Sequence, residues 1–114
     1  MNVYLALTEV EWVRLYEYQR GQCAICEHPL RNRYAPGSEG STAFCDHSHK
    51  LEKIAGLRAS IRGLLCLYCN RRILVVLHDN EIKAQRAADY LRDPPARRLF
   101  GLDLLIALAA RPDV

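Results

Sequence analysis

The stretch RGLLCLYCN, residues 62–70, joins an apolar segment to a Cys-x-x-Cys pair and an asparagine. An earlier pair, CAIC, occupies residues 23–26, so the chain carries two such dyads and one further cysteine, Cys45. Each pair closes a tight turn that presents two thiolates about 2.3 Å from one ion, and two turns complete a tetrahedral shell. The sequence therefore predicts one structural zinc ion per chain, held by four cysteines: Cys23, Cys26, Cys66 and Cys69.

The cysteines admit other interpretations. The chain starts with MNVYLALTEVEWVRLYEYQRG, which lacks the basic and apolar regions and the cleavage site of a secretory signal. A disulfide framework is therefore not expected, and the odd number of cysteines argues further against it. A thioredoxin-like redox pair would use one dyad only, and unrelated core cysteines are the third alternative. We expect Cys45 to be a buried small hydrophobe rather than a fifth ligand.

Length and composition set the class of protein. The 114 residues fit one domain with a modest core, and half of them are apolar, which argues against a disordered chain. A formal charge of +3 suits a polyanionic partner, although many proteins without a nucleic-acid role have the same charge. No stretch approaches the roughly 18 uninterrupted apolar residues of a membrane span. No membrane partner is expected, and we predict a cytoplasmic protein.

A helix is predicted before the first dyad. TEVE, residues 8–11, matches a capping box in which the Thr8 hydroxyl and the Glu11 carboxylate satisfy each other's backbone amides. Gly21 provides a stop, so the helix should run from about residue 8 to 20. Its apolar face is expected to include Val10, Trp12, Val13 and Tyr16.

Two short strands are predicted between the dyads. They lie at about residues 42–46 and 57–65, after a loop rich in proline, glycine and serine at residues 28–43. A polar linker joins the strands, and its Gly56 suits a turn. After the second dyad, NRRILVVLH could be strand or helix by composition, since its β-branched residues favour the strand.

Two further helices are expected near the C-terminus. Asp79 can cap the segment NEIKAQRAADYLRD, which ends before Pro94 and Pro95. The last segment, ARRLFGLDLLIALAARPDV, is apolar on more than one face and therefore requires burial on more than one side. Packing into its own core and a homodimer interface are the two explanations. Its main stripe consists of Leu102, Leu105, Ile106 and Ala109, with Leu104 and Leu108 outside it.

The polar cluster CDHSHK, residues 45–50, lies at the end of the first predicted strand. By itself it could be a surface turn with two incidental histidines. A zinc-stapled hairpin followed by an element that starts at Asn70 would instead bring Asp46, His47 and Asn70 together. Carboxylate and amide oxygens suit Mg²⁺, and an adjacent neutral imidazole can take a proton from water. These groups are the requirements of metal-assisted phosphodiester hydrolysis.

The run CAIC … DHSH … RGLLCLYCN closely resembles the recombination endonuclease VII family, phage-type nucleases of the wider HNH or His-Me finger superfamily. The resemblance covers about residues 8–92. It implies an α+β, mostly helical fold, with a zinc-stapled ββα-metal core, an N-terminal helix and C-terminal helices. One domain would span residues 1–114, with a nuclease core at 8–92 and a C-terminal helix at 93–114 available for dimerisation. The segment NRRILVVLH becomes helical in this fold.

The resemblance also implies a role for each motif residue. Cys23, Cys26, Cys66 and Cys69 would be the structural zinc ligands. Asp46 and Asn70 would hold a catalytic Mg²⁺ or Mn²⁺, His47 would be the general base, and His49 would contact the scissile phosphate. The expected activity is metal-dependent hydrolysis of DNA, duplex or branched, in the host cytoplasm if the protein is phage-encoded. Weaker candidates for DNA contact, each equally explained as a solvated charge, are Arg58, Arg62, Arg71 and Arg72.

Two departures from the family pattern are visible. Ser48 replaces the second acid of the common D-H-D-H sequence, and the connection from His49 to Arg62 is longer than in compact members. The extra length could form a turn, an additional DNA contact or a shifted register. A catalytically silent zinc module that only binds nucleic acid is the alternative function. Such a module would have no reason to keep Asp46, His47 and Asn70 together.

Overall fold

The computed structural model describes residues 6–110, and the fold is mostly helical with one two-stranded sheet within that range. Residues 1–5 of the N-terminal stretch and residues 111–114 of the predicted C-terminal helix lie outside the described residues. The expected α+β class is confirmed. In chain order the elements are α1 (Glu9–Tyr18), β1 (Phe44–His47), α2 (His49–Ala55), α3 (Leu57–Ser60), β2 (Ile61–Leu65), a π-helical segment (Cys69–Ile73), α4 (Leu74–Val76), α5 (Glu81–Arg92), α6 (Pro95–Leu99) and α7 (Asp103–Ala109).

The described chain divides into two compact units, residues 6–76 and 77–110. The first unit contains both dyads, the sheet and the polar cluster, whereas the second consists of α5, α6 and α7. The prediction of a single domain with a nuclease core at residues 8–92 stays a prediction. No helix within residues 6–110 combines the length and the apolar character needed to cross a membrane.

Helix α1 begins with the predicted capping box. The Thr8 hydroxyl accepts a hydrogen bond from the Glu11 amide at 3.2 Å, and the Glu11 carboxylate accepts one from the Thr8 amide at 3.0 Å. The same carboxylate pairs with the Arg58 guanidinium, which together with the Thr8 amide lowers the pKa of Glu11 to about 2. The helix ends at Tyr18, and the left-handed backbone of Gly21, with φ of 68°, turns the chain into the first dyad.

The buried face of α1 differs in part from the expected one. Trp12 is only 1 % exposed and stacks on the Tyr16 ring at 5.5 Å between centroids, whereas Val10 is 69 % exposed. Tyr34, from the loop before β1, meets the Trp12 indole edge-on at 5.4 Å. The prediction of Val10 as a core residue was wrong, because the core is centred on the indole, which lies on another side of the helix.

The sheet pairs β1 and β2 antiparallel, with Cys45 opposite Leu64 and Asp46 opposite Gly63. His47 lies opposite Ile61, so the register shifts by one residue at Arg62, as in a β-bulge. The sheet contributes Cys45, Leu64 and Leu65 to the core of the first unit. The strands are shorter than predicted.

The linker between the strands is helical rather than a simple turn. Ser48 caps α2 by accepting a hydrogen bond from the Leu51 amide at 3.2 Å. Gly56, with φ of 90°, ends α2 and starts α3, which takes residues 57–60 out of the predicted second strand. The extra length of the connection forms α2 and α3, which the turn at Gly56 connects.

Gln19, directly after α1, fixes that helix to the sheet. Its amide nitrogen donates to the Leu64 carbonyl and its amide oxygen accepts from the Leu64 N–H, both at 2.9 Å. The same nitrogen donates to the Gln22 carbonyl at 2.8 Å. Leu64 is completely buried. The Gln19 side chain bonds to its backbone as a neighbouring strand would.

The segment after the second dyad is helical, in spite of its β-branched residues. The Asn70 amide donates to the Cys66 carbonyl at 3.0 Å, and the Leu74 amide reaches the Cys69 carbonyl five residues back, which is a π-helical bond. The turn of the second dyad thus starts the chain on a helical path, although the β-branched residues that follow favour a strand.

The second unit corrects two predictions. Asn80, not Asp79, caps α5, with its side chain accepting from the Ile82 and Lys83 amides. Asp79 has φ of 53°, whereas a capping residue requires an extended backbone. The predicted single C-terminal helix is broken at Gly101, with φ of 62°, into α6 and α7.

We expect Gln19→Ala to lower the free energy of unfolding by about 1–3 kcal/mol, because the buried Leu64 N–H would lose its Gln19 partner and the Leu64 carbonyl would keep only the Ala24 amide. Chemical denaturation with zinc present measures the change. Glu17→Ala is the matched control, since Glu17 is exposed on the last turn of α1 and should change stability little. Equal midpoints for Gln19→Ala and the control would show that Gln19 does not fix the helix to the sheet.

Candidate metal centre and polar site at the strand end

The four dyad cysteines converge in the first unit. Their sulfur atoms lie within 4.8 Å of one another, although 40 residues separate Cys26 from Cys66. The Cys26 and Cys66 sulfurs are 3.7 Å apart. Four ligands at about 2.3 Å from a central zinc ion stand about 3.8 Å from each other, so the observed spacing fits a tetrahedral shell. The prediction that the two dyads meet is confirmed, and the cluster could hold zinc.

Backbone amides support this interpretation of the first dyad. Burial opposes ionisation of the Cys23 thiol, yet the N–H groups of Cys26, Cys66 and Ile25 bond to its sulfur and lower its pKa to about 7. Burial raises the pKa of the Cys69 thiol, and the neighbouring sulfurs raise it further. Four crowded thiols cannot all ionise without a cation among them. A soft divalent ion satisfies this donor set and displaces the protons.

Cys45 takes no part in the cluster. It is 5 % exposed, packs in the core and has its pKa raised to about 11, first by burial and then by the charge of Asp46. This placement agrees with a small buried hydrophobe. The four remaining cysteines belong to the cluster, so all five are accounted for.

Asp46 lies at the end of β1, where it is 8 % exposed and faces Arg62. The Arg62 Nε donates to one carboxylate oxygen at 2.7 Å and its Nη2 to the other at 3.1 Å, a two-pronged pair. The register shift at Arg62 allows this contact. Asp46 is thus a buried carboxylate that the positively charged guanidinium of Arg62 holds in one orientation.

His47 and His49 lie together with an acid that the sequence did not single out. Their ring centroids are 4.8 Å apart, and the His47 Nε2 is 3.3 Å from a carboxylate oxygen of Glu52 in α2. One ligand atom from each of the three residues falls within 4.8 Å of the others. His47 and Glu52 are partly buried, whereas His49 is exposed. Glu52 was missed because its approach depends on a helix in the linker, which the composition did not indicate.

Asn70 is partly buried at the start of the helical segment after the second dyad. Its predicted meeting with Asp46 around one divalent ion stays a prediction. The donor chemistry fits, because a carboxylate and an amide supply only oxygen ligands, the type that Mg²⁺ prefers. Asp46 lies on β1, which pairs with β2, and β2 leads into the dyad that Asn70 follows.

The four candidate arginines divide into two pairs. Arg58 is bound to the Glu11 carboxylate and the Ala6 carbonyl, and Arg62 is bound to Asp46. Arg71 and Arg72 instead line an open groove of about 890 Å³ beside the cysteine cluster. Arg71 also lies over the Phe44 ring, 5.9 Å from its centroid.

The groove is basic and partly aromatic. No carboxylate lines it within the described residues. Two of its residues are close in sequence to the polar site: Phe44 precedes Asp46 by two residues, and Arg71 directly follows Asn70. Its charged, imidazole and aromatic residues are Arg31, Arg71, Arg72, His28, Phe44 and Tyr68.

The fold and the two clusters define a small α+β protein built around a four-cysteine centre, with an acid-histidine site at the end of its hairpin. The recombination endonuclease VII family model matches residues 1–93. The chain therefore belongs to the recombination endonuclease VII family, as its motifs indicated.

Two phage proteins are similar to this chain. The Gene 59 protein of Mycobacterium phage D29 is 38 % identical over 95 residues, which cover 83 % of this chain and 49 % of that protein. The Gene 59 protein of Mycobacterium phage L5 is 35 % identical over 95 residues, with the same two shares. The chain spans about half the length of these relatives. No solved structure matches it.

We expect Cys66→Ser to remove the bound zinc and to unfold the first unit, because metal binding by such a site contributes directly to folding. Zinc content per chain and thermal unfolding followed by circular dichroism measure both effects. Cys45→Ala is the control, since it also removes one buried cysteine but should keep one zinc per chain. A Cys66→Ser protein that retains a full equivalent of zinc and melts like the wild type would contradict the four-thiolate centre.

Proposed function

We propose that this chain is a metal-dependent DNA endonuclease of the HNH, or His-Me finger, type. The observation that carries the proposal is the position of His47, next to a buried, oriented Asp46 at the end of a hairpin that the cysteine cluster ties to Asn70. Membership of the recombination endonuclease VII family supports a nuclease. Zinc at the four cysteines would have a structural role, because all four protein ligands leave no open position.

In this mechanism His47 acts as the general base. Its neutral imidazole takes a proton from water, the water oxygen forms a bond to phosphorus, and the bond from phosphorus to the 3′ oxygen breaks. The departing oxygen takes a proton from solvent, leaving 5′-phosphate and 3′-hydroxyl ends. Asp46 and Asn70 would hold Mg²⁺ or Mn²⁺, which supplies positive charge to the phosphate when bound. Arg62 and His49 place additional donors at the same strand end for the phosphate oxygens.

DNA is the proposed partner, and the groove beside the cysteine cluster is its proposed path. Arg31, Arg71 and Arg72 provide the positive charge, and the groove has no acid among the described residues that line it. Contacts of this kind bind phosphates and carry no sequence information. Branched DNA is the substrate that the family's name suggests, and comparing cleavage of four-way junctions with matched linear duplex separates junction resolution from general nicking.

Dimerisation through the C-terminal helices stays a prediction. The second unit exposes large apolar side chains on α6, α7 and the segment between them. Exposed apolar surface of this kind is typical of an interaction site, which is the basis for expecting a dimer. These exposed residues are Leu99, Phe100, Leu104, Leu105, Ile106 and Leu108.

A catalytically silent, zinc-stabilised module that binds nucleic acid is the second candidate. One observation favours it: both oxygens of Asp46 are engaged by Arg62, as they would be in a purely structural ion pair. Such a module would bind DNA through the same groove but would not need His47. The two candidates therefore differ in one measurable property, cleavage.

We expect His47→Ala to reduce the nicking of supercoiled plasmid in Mg²⁺ or Mn²⁺ by roughly 10²–10⁴-fold, because the general base would be lost. Zinc content and the melting temperature should stay at wild-type values. Wild-type protein with EDTA shows the metal requirement, and His78→Ala, which removes an exposed imidazole in the second unit, should nick normally. Unchanged nicking by His47→Ala would contradict the assignment of the base, and no cleavage by the wild type would favour the silent module.

The double substitution Arg71→Ala, Arg72→Ala should weaken DNA binding to the same degree on unrelated sequences, because both side chains are proposed to contact phosphates. If each contacts one phosphate of duplex DNA, the slope of log affinity against log salt should fall by about 1.8. Fluorescence anisotropy over a range of salt concentrations measures both effects. Arg14→Ala, an exposed arginine on α1, is the control. A variant with an unchanged salt slope would place the DNA on another surface.

A further inference from the structure

The contact between His47 and Glu52 follows from how α2 begins. Ser48 is the capping residue of this helix, so His47 is the residue before the cap and Glu52 is the fourth helical residue. In many helices a hydrophobic side chain at the first of these positions packs on one at the second, because the turn brings them together. Here the same geometry joins an imidazole to a carboxylate.

Two hydrogen bonds fix this geometry locally. The Ser48 hydroxyl accepts from the Leu51 amide at 3.2 Å, and the Glu52 amide donates to the Ser48 carbonyl at 2.9 Å. At the other end of the connection, the Ser48 amide donates to the Ser60 carbonyl at 2.9 Å. Glu52 is therefore held over the strand end by the backbone of α2, and not by a flexible loop.

We propose that Glu52 is the positioning residue for His47, an inference that rests on the proposed nuclease function. The His47 Nε2 lies 3.3 Å from a carboxylate oxygen of Glu52. In the proposed role that carboxylate accepts a hydrogen bond from Nε2–H of the neutral imidazole. The proton is then held on Nε2, and the lone pair of Nδ1 is the one available to accept a proton from water. Glu52 acts through His47 and does not touch the substrate.

The surroundings of the pair favour this role over an incidental surface ion pair. The side chains of His47 and Glu52 are 21 % and 33 % exposed, so the contact is partly shielded from water. The neighbouring carboxylate of Asp46 is already occupied by Arg62, which leaves Glu52 as the acid whose contact with the His47 ring is seen in the described residues. The His49 ring lies on the same imidazole at 4.8 Å and limits its rotation further.

The longer connection has a structural explanation, since it contains α2. Ser48 caps this helix, and the acid that it replaces would be an equally favourable capping residue. Helix α2 places the Glu52 carboxylate next to His47, the proposed base.

The test compares Glu52→Ala with Glu52→Gln in the full chain carrying one equivalent of zinc. Glutamine keeps an oxygen that can accept the Nε2–H bond, whereas alanine does not. With histidines labelled with ¹⁵N, the ring N–H proton of His47 is observable at low temperature when a hydrogen bond slows its exchange with water. We expect this signal in the wild type and in Glu52→Gln, and its loss in Glu52→Ala. Its absence from His47→Gln assigns it, since the chain has four histidines.

Kinetics on supercoiled plasmid provide the second measurement. Glu52→Ala should lower kcat roughly 10- to 100-fold, as loss of a carboxylate behind a functional histidine commonly does, with KM unchanged. Glu52→Gln should recover most of the rate. Lys53→Ala, an exposed change on the same helix, is the control for an effect on α2 itself. Retention of the His47 N–H signal in Glu52→Ala, or nicking by that variant at the wild-type rate, would overturn the proposal.

The two measurements separate this inference from the function on which it rests. If the wild-type protein does not cleave DNA, the nuclease proposal fails, while the N–H signal still decides whether Glu52 holds the imidazole. If the wild type cleaves and the signal does not depend on Glu52, only the positioning role fails.

Discussion

The approach of four sulfur atoms to within 4.8 Å of one another is the constraint on which the first unit depends. Nine buried apolar residues of the described chain form its small core, and three of them, Cys23, Cys66 and Cys69, belong to this cluster. Because one dyad follows α1 and the other follows β2, their meeting brings the helix, the sheet and the helical segment from Cys69 together at one point. A core of this size needs such a cross-link, because it buries too little apolar area to fix the elements alone.

The sheet connects that cross-link to the polar residues at the strand end. The strand that leads to Cys66 also contains the bulge at Arg62, so the position of the guanidinium is tied to the position of the cysteines. The bulge turns Arg62 towards Asp46, and the paired strand presents His47 one residue further on. Burial of Asp46 requires a nearby positive charge, since an unpaired carboxylate at 8 % exposure would be costly. Arg62 meets this requirement.

What the sequence predicts is what local spacing encodes. The dyads and the capping box at Thr8 follow from residues within a few positions of one another, and the class of fold follows from the resemblance to a known family. The cap of α5 fails by one residue, because only the backbone of Asp79 reveals its left-handed conformation. Gln19 and the Asp46–Arg62 pair were not visible, since each depends on elements that meet across the fold. Glu52 was not visible because the composition of the linker did not indicate α2. The helical path after Cys69 shows the same limit, because the dyad overrides β-branched composition.

The hydrogen bond between the Ser48 amide and the Ser60 carbonyl closes the connection between the strands at its base. Residues 49–59 consequently form a connecting segment whose two ends are held together whatever its length. Insertions or deletions within it would leave the register of the two strands, and hence Asp46, in place. Substitutions within residues 49–59 would therefore change the side chains near the strand end without moving the cysteine cluster.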